Sequence, residues 1–279
     1  MLVEFSVENY RSIKEKQTLS MVASTEETLL ASNSFPMPNS KKIRLLTSTA
    51  IYGPNASGKS NLVQAIQTFQ RIVLNSASRM QVGDRFPVQP FLFYTAYEQK
   101  PTGFQVIFIQ DNIRYAYGIS LDQKRVYEEW LLAYPKGRAQ TWFSRRYNPE
   151  NPDLEPENHG YEWSFPSLKG EKKRIQQLVR PNSLFLSHAA QNNHPELTEI
   201  FSWFLADLKI INCENIFLRV YTAQLCQTNP QLKNFILTIL RQADFDIYDI
   251  AVKTEALPNH QQNLLDAIPL FLSKKVFQQ

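Results

Sequence analysis

The chain has 279 residues, of which 43% are hydrophobic and 20% charged, with a formal net charge of +4. That length supplies one large or two small domains, and the balance excludes the low-hydrophobicity, high-charge class of disordered chains. The charge is too small to argue for a nucleic-acid partner and does not exclude one.

The first residues alternate Val3, Phe5 and Val7 with Glu4, Ser6 and Glu8, the period-two pattern of a half-buried strand over residues 2–10. Acids stand where a secretory leader would carry a basic region, and no uninterrupted apolar run approaches a membrane span. A soluble protein with no membrane partner is expected. Cys213 and Cys226 lack metal-ligand or redox spacing, so they are expected to be structural thiols in a reduced, cytoplasmic setting. Residues 17–23 read as a second strand, paired back through a turn at 11–16. Residues 24–42 are a polar loop with a short helical start at 26–31.

Residues 45–52 are a compact apolar run, the pattern of a strand buried on both faces. It leads into Gly53-Pro54-Asn55-Ala56-Ser57-Gly58-Lys59-Ser60, which fills the spacing G-x-x-x-x-G-K-[ST] of a phosphate-binding loop. Leu62, Ala65, Ile66, Phe69, Ile72 and Val73 then recur at helical spacing, so the motif has the strand before it and the helix after it that its chemistry requires. Gly53 permits the tight turn and Gly58 lets backbone approach an anion. The N–H groups from Asn55 to Ser60 point at a β-phosphate, aided by the helix dipole. Lys59 bridges β- and γ-phosphates, and the Ser60 hydroxyl is the candidate Mg²⁺ ligand. The competing reading is a glycine-rich helix entry with an exposed lysine.

Residues 103–110, 113–121, 126–134 and 140–147 are rich in aromatic and β-branched residues and are separated by turn residues. They predict an antiparallel meander, with a further edge strand at 161–165. Helices are expected at 171–179, 196–208 and 231–242, the last two with Pro195 and Pro230 at their starts. Residues 247–253 read as another strand, and 255–279 show weak periodicity.

The pair Phe5-Ser6-Val7-Glu8-Asn9-Tyr10-Arg11-Ser12 and Ile51 to Asn61 resembles the AAA15/AAA21-type ATP-binding proteins, relatives of RecF, the structural-maintenance-of-chromosomes ATPases and the OLD family, all with ABC-type heads. The similarity runs from Met1 to about Leu257. The resemblance implies an α/β fold, a P-loop NTPase of ABC/SMC-like head-lobe architecture with an appended antiparallel meander and a helical C-terminal part. It divides the chain into a P-loop lobe at 1–90, a β subdomain of the same lobe at 91–166 and a mainly helical region at 167–279, the beginning of a second half. It implies ATP and Mg²⁺ as cofactors, Gly53 to Asn61 as the nucleotide-binding loop (Walker A), Arg11 as a phosphate contact, the alternative being a solvent-facing arginine in a turn, and Gln89 as the candidate for the glutamine that touches Mg²⁺ and the attacking water, the alternative being a solvated loop glutamine. A homodimer, or a partner ATPase or nuclease subunit, is implied too. Relatives serve in phage defence, DNA repair and chromosome handling.

The chain departs from the ABC pattern after Ser60. No Asp-Glu pair follows an apolar run, the nearest imitation being Leu264-Leu265-Asp266-Ala267, no Ser-Gly stretch makes a convincing signature motif, and a switch histidine cannot be placed. The expectation is therefore a complete Walker A loop with its catalytic counterpart supplied by a further region or a partner, so that this chain alone binds ATP without efficient turnover. The alternative is a non-catalytic, nucleotide-dependent interaction module in a defence or DNA-maintenance complex.

Other clusters carry less. His188 and His194 are near each other but lack further zinc ligands, and Ser57 and Ser60 have no His/Asp partners for a nucleophile. Asp244, Asp246 and Asp249 suit a solvated turn. Lys41-Lys42 with Arg44, Arg145-Arg146 and Lys172-Lys173-Arg174 are basic, and Arg145-Arg146 lies among Trp142, Phe143 and Tyr147. That interleaving suits single-stranded DNA or RNA, although alternate aromatics in a strand also suit a core.

Overall fold

The computed structural model describes residues 1–24, 29–40, 42–151, 160–211 and 216–252, the side chains of 216 and 217 excepted. These residues fall into two compact units divided between Ile210 and Ile211. Both expected internal boundaries, after residues 90 and 166, lie inside the first unit.

That unit is built on one seven-stranded antiparallel sheet. Its strands are β1 (Leu2–Glu8), β2 (Gln17–Ser20), β5 (Thr102–Gln110), β6 (Ile113–Leu121), β7 (Val126–Tyr134), β8 (Gln140–Tyr147) and β9 (Tyr161–Ser164), in the order β2-β1-β5-β6-β7-β8-β9. β1 is therefore an interior strand, hydrogen-bonded to β2 on one side and β5 on the other. Its alternation assigns the faces: Phe5 and Val7 enter the core while Glu4 and Glu8 face outward.

The covered face of the sheet meets α2 (Lys59–Asn75), whose buried stripe is Ala65, Thr68, Phe69, Ile72 and Val73. Phe69 stacks on Phe104 and Tyr117 at centroid distances of 5.6 and 5.9 Å, and a phenylalanine buried this way contributes about 1.5–3 kcal/mol. Short helices α4 (Lys173–Leu178), α5 (Phe185–Gln191) and α6 (Pro195–Ser202) complete this layer with a π-helical turn at Trp203–Asp207. Gln70 locks that turn to α2 by donating from Nε2 to the carbonyls of Phe204 (2.6 Å) and Leu208 (2.7 Å). On the opposite face, the two-stranded ribbon of β3 (Ser34–Pro36) and β4 (Arg44–Leu46) places Met37 and Leu45 against Val3 and Ile109.

Several expectations are corrected. The strand over 45–52 does not form: pairing stops with β4 at Leu46, Ile51 is 41% exposed and Tyr52 89% exposed. An apolar run stays a buried strand only while a partner lies on each side, and here both β3 and the single antiparallel bridge of Val22 to Leu45 give out by Leu46. The loop 24–42 contains β3 and a four-residue helix α1 (Leu30–Asn33), and residues 26–28 of its expected helical start lie outside the described residues. Residues 247–252 form no strand, because the carbonyls of Ile247 and Tyr248 accept from the Arg241 guanidinium. The tail from 253, with Leu264 to Ala267, and Cys213 lie outside the described residues. The expected helix at 196–208 ends at Ser202 and continues as the π-helical turn.

The second unit contains α7 (Ile216–Thr228) and α8 (Pro230–Gln242). Asn229 caps α8, its Oδ1 accepting from Leu232 N at 3.0 Å with Pro230 following. Among the described residues no helix is long and apolar enough to cross a membrane.

Candidate functional site

The loop between residues 53 and 60 has the conformation its glycines permit. Ala56 (φ 64°) and Gly58 (φ 93°) are left-handed while Ser57 between them is not. Such alternation turns successive N–H groups toward one concavity. A Cβ at Gly53 would lie 2.8 Å from Ser57 Oγ, so a side chain there would require that hydroxyl to turn away. Gly58 is the N-cap of α2, no side chain caps the helix, and its first turn holds no acid. The N–H groups of a 17-residue helix are thus left facing the loop with their partial positive charge unopposed.

Lys59 Nζ donates to the carbonyls of Gly53 (2.7 Å) and Pro54 (2.6 Å) and lies 3.5 Å from Ser57 Oγ. The loop therefore wraps an ammonium group, with its carbonyls holding the cation from outside. Ser60 follows on the exposed side of the first turn.

A second turn, at residues 9–13, abuts this loop. Ser12 Oγ accepts from Asn61 Nδ2 at 2.6 Å, and a Cβ at Gly58 would lie 3.2 Å from the same hydroxyl. Arg11 has its guanidinium on Gln64 Oε1, further along α2, and its backbone N–H donates to the Gln89 carbonyl at 2.8 Å. Arg11 and Gln89, distant in sequence, thus share one hydrogen bond beside the loop. The Gln89 side chain is exposed.

Asn9 carries a role that the sequence reading did not assign. It is 1% exposed with φ 50°. Its Oδ1 accepts from Phe91 N (2.9 Å), its Nδ2 donates to the carbonyls of Tyr97 (2.9 Å) and Lys100 (2.8 Å), and its own carbonyl accepts from Thr102 Oγ1 (2.7 Å). One side chain thereby closes the loop that begins at Gln89. The signal was an asparagine directly before Tyr10-Arg11-Ser12, since asparagine tolerates positive φ.

The remaining candidates have structural work. Arg145 is fully buried, its Nε 3.0 Å from Glu129 Oε2, and Trp142 and Phe143 belong to the core. Arg146 pairs with Glu128 at 2.8 Å. The interleaved aromatics and cations of β8 are a sheet strand with Trp142, Phe143 and Arg145 buried, which is the core reading of the two that the interleaving allows. Arg44 is tied to Ser34 through Oγ and the carbonyl, and Lys172 Nζ donates to Leu168 O. His194 caps α6, Nδ1 accepting from Leu197 N while Nε2 donates to Lys169 O at 2.9 Å. His188 Nε2 lies 2.9 Å from Ser183 Oγ. Among the described residues no three His, Cys, Asp or Glu side chains gather as a metal site.

Residues 48–167 match the family described as AAA domain, putative AbiEii toxin, Type IV TA system. The matched segment contains the loop, α2 and the strands β5 to β9. No curated protein matches the chain.

Proposed function

Starting from the AAA domain carried by residues 48–167, we propose that this chain is the nucleotide-binding lobe of an ABC/SMC-like ATPase and takes Mg-ATP in the loop from Gly53 to Asn61. The observation that carries this reading is the loop itself, closed around the Lys59 ammonium at the uncapped start of α2. Triphosphate oxygens would take the inward N–H groups, and Lys59 would leave the carbonyls of Gly53 and Pro54 to reach the β- and γ-phosphates. Ser60 fits Mg²⁺ as a single hydroxyl ligand completing a shell of phosphate and water oxygens. Arg11, released from Gln64, would reach a phosphate, and Gln89 would approach the attacking water.

Hydrolysis needs a carboxylate to hold the metal and orient the water. Among the described residues, the side chains bonded between the loop's helix and the adjacent turn are Ser12, Asn61, Gln64, Arg11, Tyr10 and Thr68, none of them acidic. The exposure of Ile51 and Tyr52, directly before Gly53, supports a missing strand neighbour as well. Both point to a complementary half contributed by a further region or by a partner head. The family's printed association with type IV toxin–antitoxin systems supports a place in a cellular defence system.

The test is a thermal unfolding series with Mg-ATP. A ligand at 100 times its Kd stabilises the folded state by about 2.7 kcal/mol, so the midpoint should rise for the wild type and stay put for Lys59→Ala. Phosphate release from the purified chain should stay at background. An unchanged midpoint in both proteins, or an equal rise in both, would remove the assignment.

A further inference from the structure

Among the described residues of the first unit, the sheet face opposite α2 is covered by the β3–β4 ribbon near Val3 and Ile109. Beyond it, Gln105, Gly118, Trp130, Ser144 and Ser164 are successive cross-strand neighbours from β5 to β9. The Trp130 indole lies flat on Gly118: a Cβ there would stand 2.4 Å from its Cζ2. The ring is half-buried, and it separates two concavities of about 150 and 620 Å³. Gly118, Ser144 and Ser164, small residues beside one flat indole, leave room for another chain to approach closely.

The charges around this ring have one excess sign. The smaller concavity holds Glu8, which has no ion-pair partner among the described residues, and Lys16, whose Nζ already donates to Gln105 Oε1 at 3.2 Å. The larger holds Glu128, Arg145, Arg146 and Glu162, of which Arg145 is paired with the buried Glu129. Arg146 is occupied by Glu128, while Glu162 accepts from the amides of Asn148 (2.9 Å) and Asn151 (2.5 Å). Those two hydrogen bonds hold the Glu162 carboxyl below its ordinary range, so it is ionised at neutral pH. Apart from Arg145, whose charge is met by the buried Glu129, three carboxylates therefore face two engaged cations, on a chain whose net charge is +4. That combination repels a polyanion and suits a cation, which an exposed indole face also attracts.

We propose that this open face is a docking surface for a basic polypeptide segment, with an arginine side chain laid on Trp130 and its guanidinium directed to Glu162. Arginine fits better than lysine because a planar guanidinium both stacks on an indole and bonds a carboxylate. The surface is built on the sheet and is independent of the phosphate loop.

The probe is an acetylated Gly-Arg-Gly-Arg-Gly peptide titrated by calorimetry into the full chain, beside its citrulline counterpart, which keeps the shape and loses the charge. The arginine peptide should bind and the citrulline peptide should not. Trp130→Ala and Glu162→Gln should each weaken binding about tenfold, with Lys172→Gln, away from this face, as the unchanged control. If Trp130→Ala fails to fold, Glu162→Gln alone decides. Equal binding of both peptides, undiminished binding to Glu162→Gln, or no binding at millimolar peptide overturns the proposal. So does a single-stranded oligonucleotide whose binding is lost in Trp130→Ala, since that would make the face a nucleic-acid surface.

Discussion

Glu129 and Arg145 form a buried pair whose two members should fail differently when removed. Glu129 accepts from Tyr117 OH (2.9 Å), Phe185 N (2.8 Å) and Leu186 N (3.0 Å) as well as facing Arg145. It therefore caps the start of α5 from inside the sheet. Arg145 in turn reaches the Ser183 carbonyl and lies over the rings of Tyr161 and Trp163. Arg145→Met leaves a carboxylate that still has three donors, and should cost about 3 kcal/mol in urea unfolding. Glu129→Ala leaves a lone buried cation and three orphaned donors, so its cost should be larger, about 4–5 kcal/mol. Equal losses would show that the helix cap contributes nothing. His188 gives a pH dependence at the same scale. Burial first, then the charges of Arg180 and Arg145, lower its pKa from 6.5 to about 4. Between those values the unfolded chain binds a proton that the folded chain does not, so stability is complete above pH 6.5 and lost as pH falls toward 4. His188→Gln should flatten that part of the profile, a difference on the order of 2 kcal/mol, read as urea midpoints at pH 7 and 4.5. Neither role was legible in the sequence. A residue pattern reports alternation along a strand but not which strand lies next to it, and β7 and β8 bring Glu129 opposite Arg145 only through their register.

At the scale of elements, the sheet strands were the most legible part, because each carries its own period-two signal and its own turn. The expected bounds of 113–121, 126–134 and 140–147 are those observed. The run at 45–52 shows where this fails: its composition reports how buried a strand would be, whereas its partner decides whether it forms. Helix α5 was missed for the opposite reason. Seven residues that are buried almost throughout have no polar face, so no helical period appears. The loop residues themselves were legible because a local spacing carries them. The clip at Asn9 was not, since its partners lie some ninety residues away. Asn9→Ala should release the Phe91 amide and the carbonyls of Tyr97 and Lys100 together. Hydrogen exchange at Phe91 should then quicken at least about tenfold, as expected when an interaction of about 1.4 kcal/mol is lost from a local opening, while amides in β6 keep their protection. An unchanged rate at Phe91 would mean that backbone packing alone holds the loop.

For the whole molecule, the question is which residues must be present for the phosphate loop to keep its shape. The continuous core of the first unit runs from Phe5 to Phe204, and the last tie to α2 is the Leu208 carbonyl on Gln70. The Ser12–Asn61 and Arg11–Gln64 bonds that position the start of α2 also lie within this span. Among the described residues, each of these bonds lies within the first unit. A chain ending at Ile210 should unfold in one cooperative urea transition with a slope lowered in proportion to its size. It should also keep whatever Mg-ATP shift the full chain shows, because ligand linkage reads only the folded site. A truncated chain that folds but loses the shift would place a nucleotide contact beyond residue 210. One without a cooperative transition would show that the sheet and its helices need the second unit to fold, and that the division after Ile210 does not mark an independent domain.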